Sequence, residues 1–259
     1  MKKLVNNFLV MFMMITILSL PNLVKAEELY LNKDELEVVS QDTKYYKTVT
    51  TKNLFATYGT ESQDEVVTYE ITKEEYDNFH PATSNGVRGV QAIETTYKQM
   101  LTTLYKNGNN FYAENYLSWK NFPATRSYDI IGIGFSSNVK PVSQLQFVQH
   151  YCDRYGSCTD ARNGNPFVFT YGAASMFPLP TVELSELNQT FWFDLGKNTT
   201  GTVYGFNLFG DYAHAQQTVT FNQACQFEMD FDRISFNNTT VKNKYDDISA
   251  TSFSWSGTW

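Results

Sequence analysis

The longest regular alternation of apolar and polar positions runs through Thr218–Asp232. Val219, Phe221, Cys225, Phe227, Met229 and Phe231 occupy the odd positions, broken only by Gln223. Thr218, Thr220, Asn222, Gln226, Glu228, Asp230 and Asp232 take the even ones. A period of two belongs to a strand with one buried face, so a long half-buried antiparallel strand is predicted here. Ile234 and Phe236 fall out of phase, which places a turn or bulge near Arg233. Residues 127–135 carry a second pattern, with Ile131, Ile133 and Phe135 on one side and Gly132 and Gly134 on the other. Two glycines on one face of a strand leave room for another backbone to approach.

Tyr97–Tyr105 and Asn110–Trp119 flank Asn107-Gly108. Both turn residues tolerate positive φ, and the pattern predicts a β-hairpin. Ile93, Tyr97, Met100 and Leu104 also fit helical spacing, with Asn107-Gly108 as a C-cap. The threonine and tyrosine content favours the hairpin. Further strand signals lie at Lys44–Thr50, Glu65–Thr72, Phe167–Tyr171, Gln189–Leu195 and Val203–Phe209. Thr72-Lys-Glu-Glu75 has capping-box spacing and predicts a short helix through Tyr76 and Phe79 that stops before Pro81. Many short strands separated by Gly, Asn and Pro define an all-β chain. The expected fold is an antiparallel β-sandwich, or a jelly-roll-like arrangement, with a short helix in the N-terminal segment.

One apolar run fits neither period. Phe8 to Leu20 is interrupted only by Thr16 and Ser19, follows Lys2 and Lys3, and is broken by Pro21 before Val24-Lys25-Ala26. It is too short to span a bilayer as a helix, and its flanks are those of a secretory signal peptide. Residues 1–26 are therefore read as a signal, and the expected product is a released, soluble, extracellular protein.

Charge narrows the partners. The formal net charge is −7, and loss of Lys2, Lys3 and Lys25 makes the remainder more acidic. Such a surface repels nucleic acid and anionic lipid, so neither nucleic acid nor stable membrane insertion is expected. Residues 27–89 hold 13 acids and 6 bases, against 14 and 11 in residues 90–259. This shift, together with the loop-like stretch from His80 to Gly89, divides the chain into an acidic N-terminal segment (27–89) and a β-sandwich domain (90–259).

Cys152 and Cys158 bracket Asp-Arg-Tyr-Gly-Ser, a turn-forming stretch, and are read as a local disulfide. His150 beside them raises a metal site as the alternative. A closed zinc site needs four ligands, and the local spacing offers no second pair. Cys225 falls on the apolar face of its predicted strand and is read as a buried free thiol. There is no Gly-x-Ser-x-Gly elbow, no His-Glu-x-x-His helix and no phosphate loop, and no cofactor is predicted.

The remaining polar candidates each have a plain structural reading. His80, His150 and His214 are the only histidines, and nothing in the sequence selects a Ser or Cys hydrolase with His214 as its base. Glu228, Asp230 and Asp232 on one strand face suit glycoside chemistry or calcium, but equally a solvated face. Asp160 to Asn165 is an oxygen-rich loop without the EF-hand pattern. Arg126 and Asp129 form a charged pair at a strand entrance. Trp119, Trp192, Trp255 and Trp259 are the candidate sugar-stacking residues, with Trp255 and Trp259 foremost.

Trp119-Lys-x-x-Pro123, then Arg126-Ser-Tyr-Asp129, then an apolar strand resembles a pattern of uncharacterised exported proteins of Gram-positive bacteria. The resemblance spans Leu117 to Phe135 together with the preceding hairpin and the signal. It implies export and a β fold, and it carries over no catalytic residue. The function expected from these features is non-enzymatic binding of an extracellular glycan or protein. A secreted hydrolase using carboxylates is the alternative. A β-pore-forming toxin is a third reading, opposed by Glu228, Asp230 and Asp232 in its best strand.

Overall fold

A computed structural model describes residues 33–52, 65–79, 91–246 and 249–259. The proposed signal at 1–26 and the loop at 80–89 lie outside these residues. The described residues from Leu36 to Trp259 belong to one compact unit, and everything below concerns it.

The chain enters the sheet as β1 (Glu37–Lys52) and returns as β2 (Glu65–Ile71). A short helix follows, α1 (Lys73–Asp77). Thr72 Oγ1 accepts from the Glu75 amide at 3.1 Å, and Glu75 Oε2 accepts from the Thr72 amide at 2.9 Å. This reciprocal cap satisfies two amides that the helix itself cannot. The hairpin of β3 (Gln91–Asn107) and β4 (Asn110–Asn121) turns at Gly108, whose φ is 58°. The two loop residues are Gly108 and Asn109, one place on from the expected Asn107-Gly108. Asn107 still belongs to β3, paired with Asn110, and only Gly108 takes a positive φ, so the hairpin holds and the helical alternative for this stretch is discarded.

The remaining strands are β5 (Tyr128–Phe135), β6 (Val139–Pro141), β7 (Gln146–Asp153), β8 (Cys158–Ala161), β9 (Asn165–Phe169), β10 (Gly172–Pro178), β11 (Leu184–Lys197) and β12 (Gly205–Ala213). After β12 come helix α2 (Phe221–Ala224), the hairpin β13 (Phe227–Met229) and β14 (Ile234–Phe236), helix α3 (Thr239–Lys242) and β15 (Ser249–Ser256).

Pairing is antiparallel throughout. The larger sheet runs β2-β1-β3-β4-β11-β7-β8, with β6 paired to the end of β11. The smaller runs β15-β12-β5-β10-β9. The protein is an all-β sandwich. β1 pairs with β3 from Glu37↔Lys106 to Lys52↔Gln91. The composition shift near residue 89 is thus not a break in the sheet, because strands from both sides of it share one ladder.

Two apolar layers result. Met100, Leu104, Phe111, Leu117, Phe191 and Phe193 of the larger sheet meet Ile131, Ile133, Phe135, Phe177 and Leu208 of the smaller. The opposite face of the smaller sheet is covered by Val219, by Ala224 of α2, by Phe227, Met229 and Ile234 of the β13–β14 hairpin and by Val241 of α3. Full burial of each such side chain contributes about 1.5–3 kcal/mol.

The alternation at Thr218–Asp232 does not make one strand. Thr220 Oγ1 accepts from the Gln223 amide and Gln223 Oε1 accepts from the Thr220 amide, a second capping box that winds Phe221–Ala224 into a helical turn. Phe221 is left exposed as a consequence. Only Phe227–Met229 stays extended, and the Asp230 amide then donates to the Arg233 carbonyl at 2.9 Å to close the turn expected near Arg233.

Candidate functional site

The β13–β14 hairpin is pressed onto the smaller sheet because three glycines make room for it. A Cβ on Gly134 would lie 2.3 Å from the Phe231 carbonyl oxygen, and one on Gly172 would lie 2.2 Å from Met229 Cγ. At Gly132 the corresponding approach to Met229 Sδ is 3.0 Å. Phe227 fixes the hairpin laterally, its ring 5.2 Å from Phe167 and 5.4 Å from Phe169 of the edge strand β9.

With Phe227 and Met229 buried, alternation turns Glu228 outward, and Asp230 follows at the turn. A cleft of about 710 Å³ opens between the hairpin and the β9–β10 turn, lined by Val168, Phe169, Thr170, Tyr171, Glu228, Met229 and Asp230. Val168 is 65% exposed and Tyr171 44%. Asn237 Nδ2 donates to Glu228 Oε1 at 3.0 Å and holds that carboxylate in place. The cleft therefore combines a half-exposed aromatic ring, neighbouring apolar side chains and two acceptor carboxylates. Such a surface can accept hydrogen bonds from ligand hydroxyls while an apolar ring face lies on Tyr171. Asp232, the third acid of the series, is exposed beside Arg233 at 3.8 Å and does not line the cleft.

The tryptophans fall elsewhere. Trp119 and Trp192 are buried and cannot present their faces to a ligand, which corrects their reading as stacking residues. Trp119 packs edge-on to Tyr212 and His214. Trp255 and Trp259 are partly buried and pack on Phe111 with ring centroids at 4.9 and 4.7 Å. Trp259 Nε1 also donates to the Asn109 carbonyl at 3.0 Å. The pair docks β15 and the following residues onto the sandwich.

Cys152 and Cys158 form a disulfide across the β7–β8 hairpin. Cys225 is free, as expected, but it caps the C-terminal end of α2 and is only half-buried, which corrects its reading as a buried strand thiol; desolvation raises its pKa.

A second polar cluster lies inside the sandwich and was not legible as a unit. Lys98 Nζ meets Asp246 Oδ2 at 2.7 Å, with side chains 1% and 0% exposed. The ammonium also stands 5.5 Å from the Trp119 ring and 5.2 Å from that of Tyr212. Asp246 Oδ1 accepts from the His214 amide at 2.8 Å. His214 Nδ1 lies 2.9 Å from Asp129 Oδ2, the Tyr212 hydroxyl donates to the same carboxylate, and the Ala215 amide donates to Asp129 Oδ1 at 3.0 Å. Asp129 thus serves His214 and Tyr212. The His–Asp pair has the make-up of a general base, but burial closes it to substrate, and its bonds tie β5, β12 and the approach to β15 together.

No protein-family model matches the chain, and no curated protein matches it. Among solved structures, the chain is similar to AvmM, described as catalysing macrocyclization in alchivemycin A biosynthesis. The identity is 12% over 58% of this chain and 82% of that one, with a TM-score of 0.24, a likeness too slight to carry a functional inference.

Proposed function

We propose that this protein is an exported, non-enzymatic binding module that takes a glycan in the cleft between the β9–β10 turn and the β13–β14 hairpin. The observation that carries this reading is the placement of Glu228 and Asp230 against a half-exposed Tyr171 in one cleft. Export is supported by the signal-like run at 1–26 and by the disulfide, a bond favoured in oxidising compartments. Carboxylates accept from sugar hydroxyls, and the flat Tyr171 face suits the apolar face of a pyranose. The excess of acid favours neutral or amino sugars over acidic ones.

The test is calorimetric titration of the mature protein with neutral and amino-sugar oligosaccharides. Tyr171→Ala, Glu228→Gln and Asp230→Asn should each weaken binding roughly tenfold, the loss of one good contact, and the oligosaccharide should be recovered intact. Binding untouched by all three substitutions would overturn the assignment of the cleft. Consumption of the oligosaccharide, abolished in Glu228→Gln, would make the protein a hydrolase instead.

A further inference from the structure

The edge of the larger sheet holds a second constellation, on β7, β8 and β11. The register sets Cys152 opposite both Cys158 on β8 and Glu186 on β11, and His150 opposite Asp160 on β8. His150 and Cys152 are two residues apart on one strand, so their side chains leave the same face of the sheet. His150, Cys152 and Cys158 therefore converge, with Glu186 of β11 set against the first two. His150 Nε2 lies 3.6 Å from Cys152 Sγ and 3.9 Å from Glu186 Oε1, and Glu186 Oε2 lies 3.8 Å from Cys152 Sγ. The ligand atoms of His150, Cys152 and Cys158 all sit within 4.8 Å of one another. On the far side of the ring, His150 Nδ1 is 2.6 Å from Asp160 Oδ1. A carboxylate on one imidazole nitrogen fixes the ring and directs the other nitrogen, as it does for metal-bound histidines.

We infer that the reduced protein binds a zinc-class divalent cation through Cys152 Sγ, Cys158 Sγ, His150 Nε2 and a Glu186 carboxylate oxygen, with Asp160 as the positioning residue for His150. The disulfide and the cation are alternative uses of the same two sulfurs. A dithiol reductant delivers two electrons and two protons to the Cys152–Cys158 bond and closes its own disulfide. The cation then displaces the two thiol protons to solvent. A site of two thiolates, one imidazole and one carboxylate suits zinc or cobalt and disfavours calcium and magnesium, which take oxygen ligands. Sequence spacing concealed the fourth ligand, because Glu186 reaches Cys152 only through the pairing of β11 with β7.

The test is cobalt titration of the mature Cys225→Ser protein, which retains only the two relevant thiols, after dithiol reduction and anaerobic removal of the reductant. The reduced protein should develop the visible bands of tetrahedral cobalt and a thiolate charge-transfer band, saturating at one ion per chain and bleached by zinc. The oxidised protein should develop neither. His150→Ala should weaken cobalt binding at least tenfold, and Asp160→Asn by about 10–100-fold, the usual effect of losing a carboxylate behind a ligating histidine. Near-ultraviolet circular dichroism of the reduced protein reports whether the sandwich persists. The inference is overturned by absence of tetrahedral bands on reduction, by equal bands in the oxidised protein, or by unchanged affinity in His150→Ala. Bands that appear only with loss of the near-ultraviolet signal also overturn it, since binding would then belong to the unfolded chain.

Discussion

Lys98 and Asp246 offer the sharpest test of how the interior is held. Their side chains are 1% and 0% exposed and meet at 2.7 Å. Replacing Lys98 by Met keeps the length and apolar stem of the side chain but leaves the Asp246 carboxylate buried without its cation. Asp246→Asn does the converse, stranding an ammonium against Trp119 and Tyr212. Removing one partner of a buried pair costs about 3–5 kcal/mol, because the remaining charge keeps its desolvation penalty. The cation–π contacts recover part of this for Lys98 in Asp246→Asn, on the order of 1–2 kcal/mol. Lys98→Met is therefore expected to cost more than Asp246→Asn. The double variant carries no stranded charge, and the asparagine oxygen can still accept from the His214 amide. It should lose less than the sum of the singles by 1–3 kcal/mol or so, the usual range for contacting pairs. Urea denaturation at pH 7 followed by tryptophan fluorescence gives all three values from the midpoint and slope. Single losses below about 1 kcal/mol, or a double variant that is simply additive, would refute the reasoning that each buried charge is stranded without the other.

Two further outcomes are expected. Asp211 is buried on the outer face of the smaller sheet, and burial holds its carboxyl well above the ordinary range, with the Ile234 amide pulling the other way. A raised folded pKa means that the native state binds the proton more tightly, so this group's contribution is complete below the unfolded value near 4 and is lost as pH rises toward the folded value. Asp211→Asn should match the wild type near pH 4 and exceed it by on the order of 1–3 kcal/mol at neutral pH, and denaturation curves that stay parallel across this range would contradict the assignment. Gly134→Ala places a Cβ against the Phe231 backbone, which cannot rotate aside, so about 1–3 kcal/mol of stability should be lost. The hairpin that carries Glu228 must lift, and oligosaccharide binding should fall with it; a fully stable, fully binding Gly134→Ala protein would show that the close approach is not required.

What the chain determines locally, it announces. The β3–β4 turn follows from Gly108, the start of α1 from the reciprocal bonds of Thr72 and Glu75, and the close packing on β5 from Gly132 and Gly134. The Cys152–Cys158 bond follows from a six-residue spacing around a turn. In each case the deciding interaction lies within a few residues or follows from a missing side chain. The same rule explains the failure at Thr218–Asp232. The apolar alternation there was real, but the Thr220–Gln223 box satisfied backbone amides within one turn, and the local helix prevailed over the strand period.

The sites were decided by tertiary structure. Glu228 and Asp230 were visible as acids on a strand face, but nothing near them in sequence indicated Tyr171, which the smaller sheet brings to the same cleft. Lys98 and Asp246 are 148 residues apart, and neither has a neighbour in sequence that foretells an ion pair. Trp119 and Trp192 look as available as Trp255 and Trp259 in composition, yet strand phase and sheet position bury the first two. Period and capping are properties of neighbouring residues, whereas convergence of side chains depends on which strands pair, and that depends on burying the whole apolar surface at once.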